Sequence, residues 1–294
     1  MVGATAREVS RGRYPPLTTD EKWQRQFVIH PFKQLLNRSN GNCLYFAKDV
    51  SNSILYFRDL INSMKHLPQI EAHIKESDWW KQAAITIDNH HSNLSGVMLT
   101  HHLEQVYQNI AAIFQQPETG FYGQLFALLA PLQLNKSTML TDLKIVALLH
   151  DIGKIAEDKT QVIVHPLTGK PAHKRHGLVS LMAAMEILGN DLVNYPGRRE
   201  CIYRTIELHD ISYGLFREYT TTGDIPQTEH WNDINNKIHA LPAAGILYLL
   251  IFKLADIHGH AKINDVLWFF QTAKENYFTH LHIDLPIPTE ADIR

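Results

Sequence analysis

The chain has 294 residues, of which 45% are hydrophobic and 20% are charged, and its formal net charge is −2. This size and apolar content are enough for one large domain, or for one domain with an extension, around a substantial core. The near-neutral charge gives no overall signal for nucleic-acid binding. The sequence lacks an apolar run of about 18 residues and an N-terminal signal-peptide pattern, so we expect a cytoplasmic protein with no membrane span.

Several common site types are also excluded by the sequence. The two cysteines, Cys43 and Cys201, lie far apart and have no CxxC spacing, which argues against a disulfide framework and against a thiolate zinc site. Neither a GxxxxGK[ST] loop nor a GxGxxG loop occurs, and this argues against the P-loop and dinucleotide-binding classes.

Helical periodicity follows a tail that contains Pro15 and Pro16 and continues through almost the whole chain. We expect an all-α protein in which residues 1–88 form a tail and helical extension and residues 89–294 form the main domain. The predicted helices cover residues 19–36, 43–64, 77–88, 94–116, 119–132, 138–153, 174–189, 197–211, 231–239, 241–260 and 264–277.

Two polar stretches interrupt this helical pattern. Residues 157–173 contain Pro166, Gly169 and Pro171, and we interpret them as a loop over a site. Residues 213–232 also contain glycine and proline, and they would form the other wall of a pocket.

The most informative segment is LLHDIGK, residues 148–154, in which an apolar helical run ends in an adjacent imidazole and carboxylate. Both polar groups need partners once water is removed. A divalent cation would satisfy both, because imidazole nitrogen suits first-row transition metals and a carboxylate can bridge two of them. His150 and Asp151 therefore predict a metal site.

This pattern resembles the HD superfamily of metal-dependent phosphohydrolases, which combine a distant first His, the His-Asp pair, often two more His residues and a late Asp. His176, His209 and Asp256 follow in that order. His209 and Asp256 also continue apolar helical stripes, which would direct them towards a common core. The resemblance covers about residues 94–262 and implies a helical bundle of the HD type.

The first His has two candidates, because His101 and His102 are adjacent. Related enzymes often read Leu-Thr-His-x-Leu-Glu, and this wording favours His101. Helical geometry favours His102, which lies one turn before Val106 and two turns before Ile110 on the apolar stripe. We choose His102 and keep His101 as the alternative.

The resemblance implies one or two divalent metal ions per chain, with Asp151 as the bridging ligand. Mn, Fe, Co, Ni and Zn all suit such ligands, and Mg is also compatible. Asp151 and Lys154 are the expected catalytic residues, and Glu207 and Asp210 are candidates for orienting His209 or for general acid chemistry. The expected metal ligands are His102, His150, Asp151, His176, His209 and Asp256.

The function implied by the resemblance is hydrolysis of a phosphoester by metal-activated water. We expect a small phosphorylated substrate, and a nucleotide in particular, because the sequence has no basic stripe with interleaved aromatic residues that would indicate a nucleic-acid polymer. Two alternatives use the same ligands: a di-iron oxygenase, and a signalling module without catalysis. The sequence does not define the oligomeric state.

Overall fold

The computed structural model describes residues 67–88, 97–155, 161–164, 171–189, 191–192, 196–257 and 263–293. The chain divides into two units, Met1–Phe57 and Arg58–Arg294, and all the described residues belong to the second unit. The helices predicted over 19–36 and 43–64 lie outside the described residues.

The described part of the chain is built mainly from helices, as the sequence predicts. Residues 67–76 are helical. Eleven further α-helices follow in the described ranges: α1 (Asp78–Ala83), α2 (Leu99–Phe114), α3 (Gly120–Ala127), α4 (Lys136–Leu149), α5 (His176–Leu188), α6 (Pro196–Leu208), α7 (Ile211–Thr222), α8 (Thr228–Ile238), α9 (Ala244–Ile257), α10 (Asn264–Ala273) and α11 (Glu290–Ile293).

Three short elements of other kinds accompany them. A 3-10 helix, Ile152–Ile155, follows α4, a π-helical turn, Lys274–Phe278, continues α10, and a second 3-10 helix covers Thr279–Leu281. Within the described ranges, every helix is too short or too polar to cross a membrane.

Helix α9 lies at the centre of the bundle. Every residue from Ala244 to Ile257 is buried, as expected for a helix that is apolar on all sides and packed on all sides. It contacts α2, α4, α6, α8 and α10. Asn109 of α2 donates a hydrogen bond to the carbonyl oxygen of Ala255 at 2.8 Å, which fixes the end of α9 against α2.

The segment before α2 also packs on this core. Ile70, Ile74 and Trp80 are buried in the same hydrophobic cluster as α9. The helix predicted over 77–88 is too long, because α1 ends at Ala83 and Ile87 forms an isolated antiparallel bridge with Met98. The proposed domain boundary at residue 88 stays a prediction.

The expectation of a loop over 157–173 is wrong, because this region contains a β-hairpin. Strand β1 (Gln161–Val164) pairs antiparallel with β2 (Pro171–Lys174). A run of four residues carries too little periodicity to be distinguished from a loop in the sequence. The hairpin is small, and the described fold is still all-α in class.

The second polar stretch, 213–232, was also expected to be irregular, and most of it is helical in α7 and α8. Helix α8 places Trp231, Ile234 and Ile238 in the core, so three apolar residues at helical spacing stabilise an otherwise polar segment. The helix predicted over 231–239 covers α8 except for its first three residues, whereas α7 was not predicted.

A buried polar cluster connects helices α4, α6 and α9 at residues that precede their carboxyl ends in the chain. Asp142 of α4 accepts hydrogen bonds from both Nε and Nη2 of Arg198 in α6, at 2.9 and 2.5 Å. Tyr248 of α9 donates its hydroxyl hydrogen to the other oxygen of Asp142 at 3.1 Å. We call Asp142, Arg198 and Tyr248 the anchor cluster. It fixes the relative positions of the three helices whose ends carry His150, His209 and Asp256.

Candidate metal centre

Four histidine side chains meet where helices α2, α4, α5 and α6 come together. His150 and His209 directly follow the last residues of α4 and α6, whereas His102 lies in the first turns of α2 and His176 begins α5. The Nε2 atoms of His102 and His150 are 3.2 Å apart, and those of His176 and His209 are 3.1 Å apart. We call these the first pair and the second pair.

Two of these rings are fixed by the backbone. Nδ1 of His150 donates to the carbonyl oxygen of Ala147 at 3.0 Å, and Nδ1 of His209 donates to that of Ile206 at 2.7 Å. With the hydrogen on Nδ1, the Nε2 atom of each ring faces the cluster and is the atom available to a metal ion. Metal-binding histidines commonly donate their other ring N–H to a carbonyl in this way.

Asp151 lies between the two pairs and faces each with a different oxygen. Its Oδ2 is 3.4 Å from Nε2 of His102 and 3.5 Å from Nε2 of His150. Its Oδ1 is 3.0 Å from Nε2 of His176 and 3.4 Å from Nε2 of His209. One carboxylate therefore contacts both pairs, which is the arrangement of a ligand shared by two metal positions.

Asp256, at the end of α9, adds a carboxylate to the first pair. Its Oδ1 is 3.4 Å from Nε2 of His150 and 3.6 Å from Nε2 of His102. This oxygen is buried, and the described residues provide no hydrogen bond to it. A buried carboxylate oxygen of this kind is costly unless a cation or a proton faces it, so the residues present fit a metal ion.

The geometry distinguishes the two candidates for the first His. The ring of His102 is buried, with 8% of the residue exposed, and it lies in the first pair. His101 is exposed at the surface of α2. The apolar stripe through Val106 and Ile110 therefore indicates the correct helix face, and the ligand role of His102 stays a prediction.

Lys154 contacts the shared carboxylate, as its position after the His-Asp pair suggests. The 3-10 helix places its Nζ 2.5 Å from Oδ2 of Asp151. Burial would lower the pKa of Lys154, but the charges of Asp151 and Asp88 outweigh burial and hold it above its usual value. Lys154 is therefore a buried permanent cation next to the cluster.

The same balance operates on the acidic groups. Burial would raise the pKa of Asp151, but the charge of Lys154 outweighs burial and holds it well below its usual value. Burial lowers the pKa of His150 and keeps its ring neutral. An ionised carboxylate beside a neutral imidazole is the protonation state that metal binding requires.

The second pair depends on a close approach between α5 and α6. A Cβ atom on Gly177 would lie 2.7 Å from the carbonyl oxygen of Glu207. Glycine therefore allows the first turn of α5 to contact the last turn of α6 directly, and this brings His176 to His209. Arg175, immediately before α5, has a left-handed backbone with φ 62°.

Two buried charged residues near the cluster were not among the residues that the sequence suggested for the site. Lys253 of α9 is buried and places its Nζ 2.8 Å from Oδ2 of Asp256. Asp88 is buried and contributes to the raised pKa of Lys154.

Asp210 does not orient His209, because Nδ1 of His209 is bonded to Ile206. The carboxylate of Asp210 instead faces the Nε2 atoms of the second pair. Glu207 pairs with Arg204.

A sequence signal for Asp210 exists but is short. The tetrapeptide LHDI occurs at residues 149–152 and again at 208–211. In both copies the His follows the end of a helix and bonds through Nδ1 to the carbonyl oxygen three residues earlier. The second copy lacks the following Gly-Lys, and for that reason the resemblance highlighted only the first.

No protein-family model, curated protein or solved structure matches this chain. The site is therefore interpreted from its own geometry. Among the residues that the structure describes, two groups of side chains have ligand atoms close enough to hold a metal ion: His102, His150 and Asp151, and Asp151, His176 and His209.

Proposed function

We propose that this protein is a metal-dependent phosphohydrolase that cleaves a phosphoester in a small phosphorylated substrate, with nucleotides as the leading class. The observation that supports the proposal best is the position of Asp151, whose two oxygens face two separate pairs of imidazole nitrogens. Asp256 adds a further carboxylate to the first pair.

The chemistry of the ligands agrees with this reaction class. Divalent cations at adjacent positions lower the pKa of water and neutralise the charge that develops on a phosphoryl group. The role of the protein residues is to hold the ligand atoms in place. The Nδ1 hydrogen bonds of His150 and His209 fix their rings, and the anchor cluster fixes the helices that carry them.

Two buried ammonium groups support an anionic substrate. Nζ of Lys154 contacts Asp151 and Nζ of Lys253 contacts Asp256. Together they offset much of the negative charge of the carboxylates, so the positive charge of bound metal ions would not be cancelled by the protein. A phosphate dianion is attracted to a site with such a surplus of positive charge.

The proposal is tested by measuring metal content and hydrolysis on the same samples. We would purify the protein without oxygen, determine its metals by elemental analysis, and assay a panel of nucleotides and other phosphoesters. His150→Ala removes one of the expected ligands, and Asp151→Asn removes the charge of the shared carboxylate. His230→Ala changes an exposed histidine of α8 and serves as the matched control.

We expect the unaltered protein and His230→Ala to bind metal and release phosphate, and both ligand variants to lose most of each. Iron accompanied by oxygen uptake, with no phosphate released from any substrate, would instead support an oxygenase. Bound metal with neither activity would indicate a signalling module, and a protein that binds no metal would overturn the proposal.

A further inference from the structure

The carboxylate of Asp210 faces the second pair of histidines. Its Oδ2 is 3.2 Å from Nε2 of His176 and 3.8 Å from Nε2 of His209. These are the same two nitrogens that Oδ1 of Asp151 approaches, at 3.0 and 3.4 Å. Asp210 therefore lies on the ligand side of both rings.

This arrangement repeats the one around the first pair. There, Oδ2 of Asp151 approaches two Nε2 atoms, and Oδ1 of Asp256 lies 3.4 and 3.6 Å from the same atoms. Each pair of imidazoles thus has one oxygen of the shared carboxylate and one oxygen of its own outer carboxylate. Asp210 has the position in the second set that Asp256 has in the first.

Neither helix capping nor the orientation of His209 explains why the side chain of Asp210 faces the second pair. Asp210 is the N-cap residue of α7, where an aspartate usually accepts a hydrogen bond from the first turn, yet its side chain makes no capping hydrogen bond. The ring of His209 is already oriented by Ile206.

Lys253 connects the two outer carboxylates. Its Nζ is 2.8 Å from Oδ2 of Asp256 and 3.6 Å from Oδ1 of Asp210. In each aspartate the oxygen that faces Lys253 is the one that does not face the imidazoles. One buried ammonium group therefore holds both carboxylates with their remaining oxygens directed at the two histidine pairs.

We infer that Asp210 is the outer protein ligand of a second metal position formed with His176, His209 and Oδ1 of Asp151, and that Lys253 positions Asp210 and Asp256 together. This inference rests on the metal binding that the proposed function requires. It makes the two metal positions equivalent in type, each with two imidazoles, one shared carboxylate and one outer carboxylate. The side chain of Asp210 is 48% exposed, whereas that of Asp256 is 7% exposed, so the second position is the more open one.

The test is a calorimetric titration of metal-free protein with Mn²⁺ alone, together with elemental analysis after dialysis. Asp210→Asn keeps the shape of the side chain and removes its charge. Asp256→Asn makes the same change at the first position, and Asp233→Asn, on the exposed face of α8, is the matched control. Thermal unfolding followed by circular dichroism shows which variants are folded.

We expect two classes of Mn²⁺ site in the unaltered protein and in Asp233→Asn. Asp210→Asn should weaken one class by at least about tenfold, since even residues behind the ligands change metal affinity by about 10–100-fold, and leave the other class unchanged. Asp256→Asn should weaken the class that Asp210→Asn leaves intact. This reciprocal result separates loss of a ligand from general damage to the fold.

Three results would overturn the inference. Two sites of unchanged affinity in Asp210→Asn would show that Asp210 is not a ligand, while the proposed hydrolase would stand. A single site in the unaltered protein would remove the second position and leave a hydrolase with one metal ion. A protein that binds no Mn²⁺ or any other divalent metal would remove both the inference and the proposed function.

Discussion

A Cβ atom placed on Gly153 would lie 2.6 Å from the carbonyl oxygen of His176. The 3-10 helix after Asp151 therefore packs directly on the first turn of α5, and Ser180 of α5 accepts a hydrogen bond from the backbone N–H of Gly153 at 2.9 Å. This contact sets the distance between the shared carboxylate and the second pair of histidines.

Replacing Gly153 with alanine should consequently disturb the second pair more than the first. The added methyl group meets backbone atoms, which cannot move alone, so we expect a loss of about 1–3 kcal/mol in the free energy of unfolding and weaker binding at one of the two metal positions. Urea unfolding and Mn²⁺ titration measure the two effects.

The control is Gly214→Ala in α7, where a Cβ would meet nothing within 4 Å. This change should be neutral or stabilising by about 0.5–1 kcal/mol. Equal effects of the two changes would contradict this prediction.

The adjacent histidines of α2 provide a second prediction. His102→Ala should lower metal affinity and phosphoesterase activity by more than about a hundredfold, since loss of a ligand should exceed the 10–100-fold cost of losing a residue behind one. His101→Ala changes an exposed ring in the same turn and should leave both unchanged. Metal titration and a phosphate-release assay distinguish them, and the reverse ranking would show that His101 is the first ligand.

The anchor cluster predicts a third result, which concerns stability. Arg198→Leu leaves the buried carboxylate of Asp142 without its guanidinium partner, and removal of one member of a buried ion pair costs about 3–5 kcal/mol. Arg204→Ala removes an arginine of the same helix whose pairs with Glu200 and Glu207 are partly exposed, and this should cost only about 0–1 kcal/mol. The free energy of unfolding in urea measures both.

The double variant Asp142→Asn, Arg198→Leu should recover part of the stability that Arg198→Leu loses. If it recovers nothing, the uncompensated charge of Asp142 is not the cause of the loss.

The fourth prediction concerns pH. Burial would lower the pKa of His176, but its hydrogen bond to Asp151 and the charges of Asp151 and Asp210 raise it to about 10. Below that pH the ring of the metal-free protein therefore carries a proton that a metal ion must displace. At neutral pH, binding at the second pair should release about one proton and strengthen by about tenfold per pH unit as the pH rises.

Calorimetric titrations in buffers with different ionisation enthalpies measure the number of protons released. Asp210→Asn removes one of the charges that raise the pKa of His176, so in this variant the pH above which metal affinity stops rising should be lower. A metal affinity that does not change between pH 6 and pH 8 would contradict the prediction.

The sequence indicates much of this site because most of the predicted ligands lie on helices with a clear apolar side. The spacing of His102 to Val106 and Ile110 places its ring in the core, and His150 and Asp256 lie at the carboxyl ends of the largely buried helices α4 and α9. The position of Asp210 could not be predicted in this way, since it lies after the end of α6, where helical periodicity no longer determines the direction of a side chain.

The hairpin and helix α7 were missed for related physical reasons. Strands of four residues carry almost no periodic signal, and α7 is polar enough that its helical structure depends on packing against α10. Lys253 was missed because a lysine inside an apolar helix is usually taken to lie at the protein surface or to mark the end of the apolar stripe. Only the tertiary structure shows that the carboxylates of Asp256 and Asp210 surround its ammonium group.

The hairpin has a further consequence through its connection to α5. A single residue, Arg175, separates the end of β2 at Lys174 from His176, and its left-handed backbone sets the angle between strand and helix. Rotation about this residue would move the hairpin and turn the imidazole of His176 at the same time. The backbone of one residue therefore joins the hairpin to the helix that carries half of the second pair.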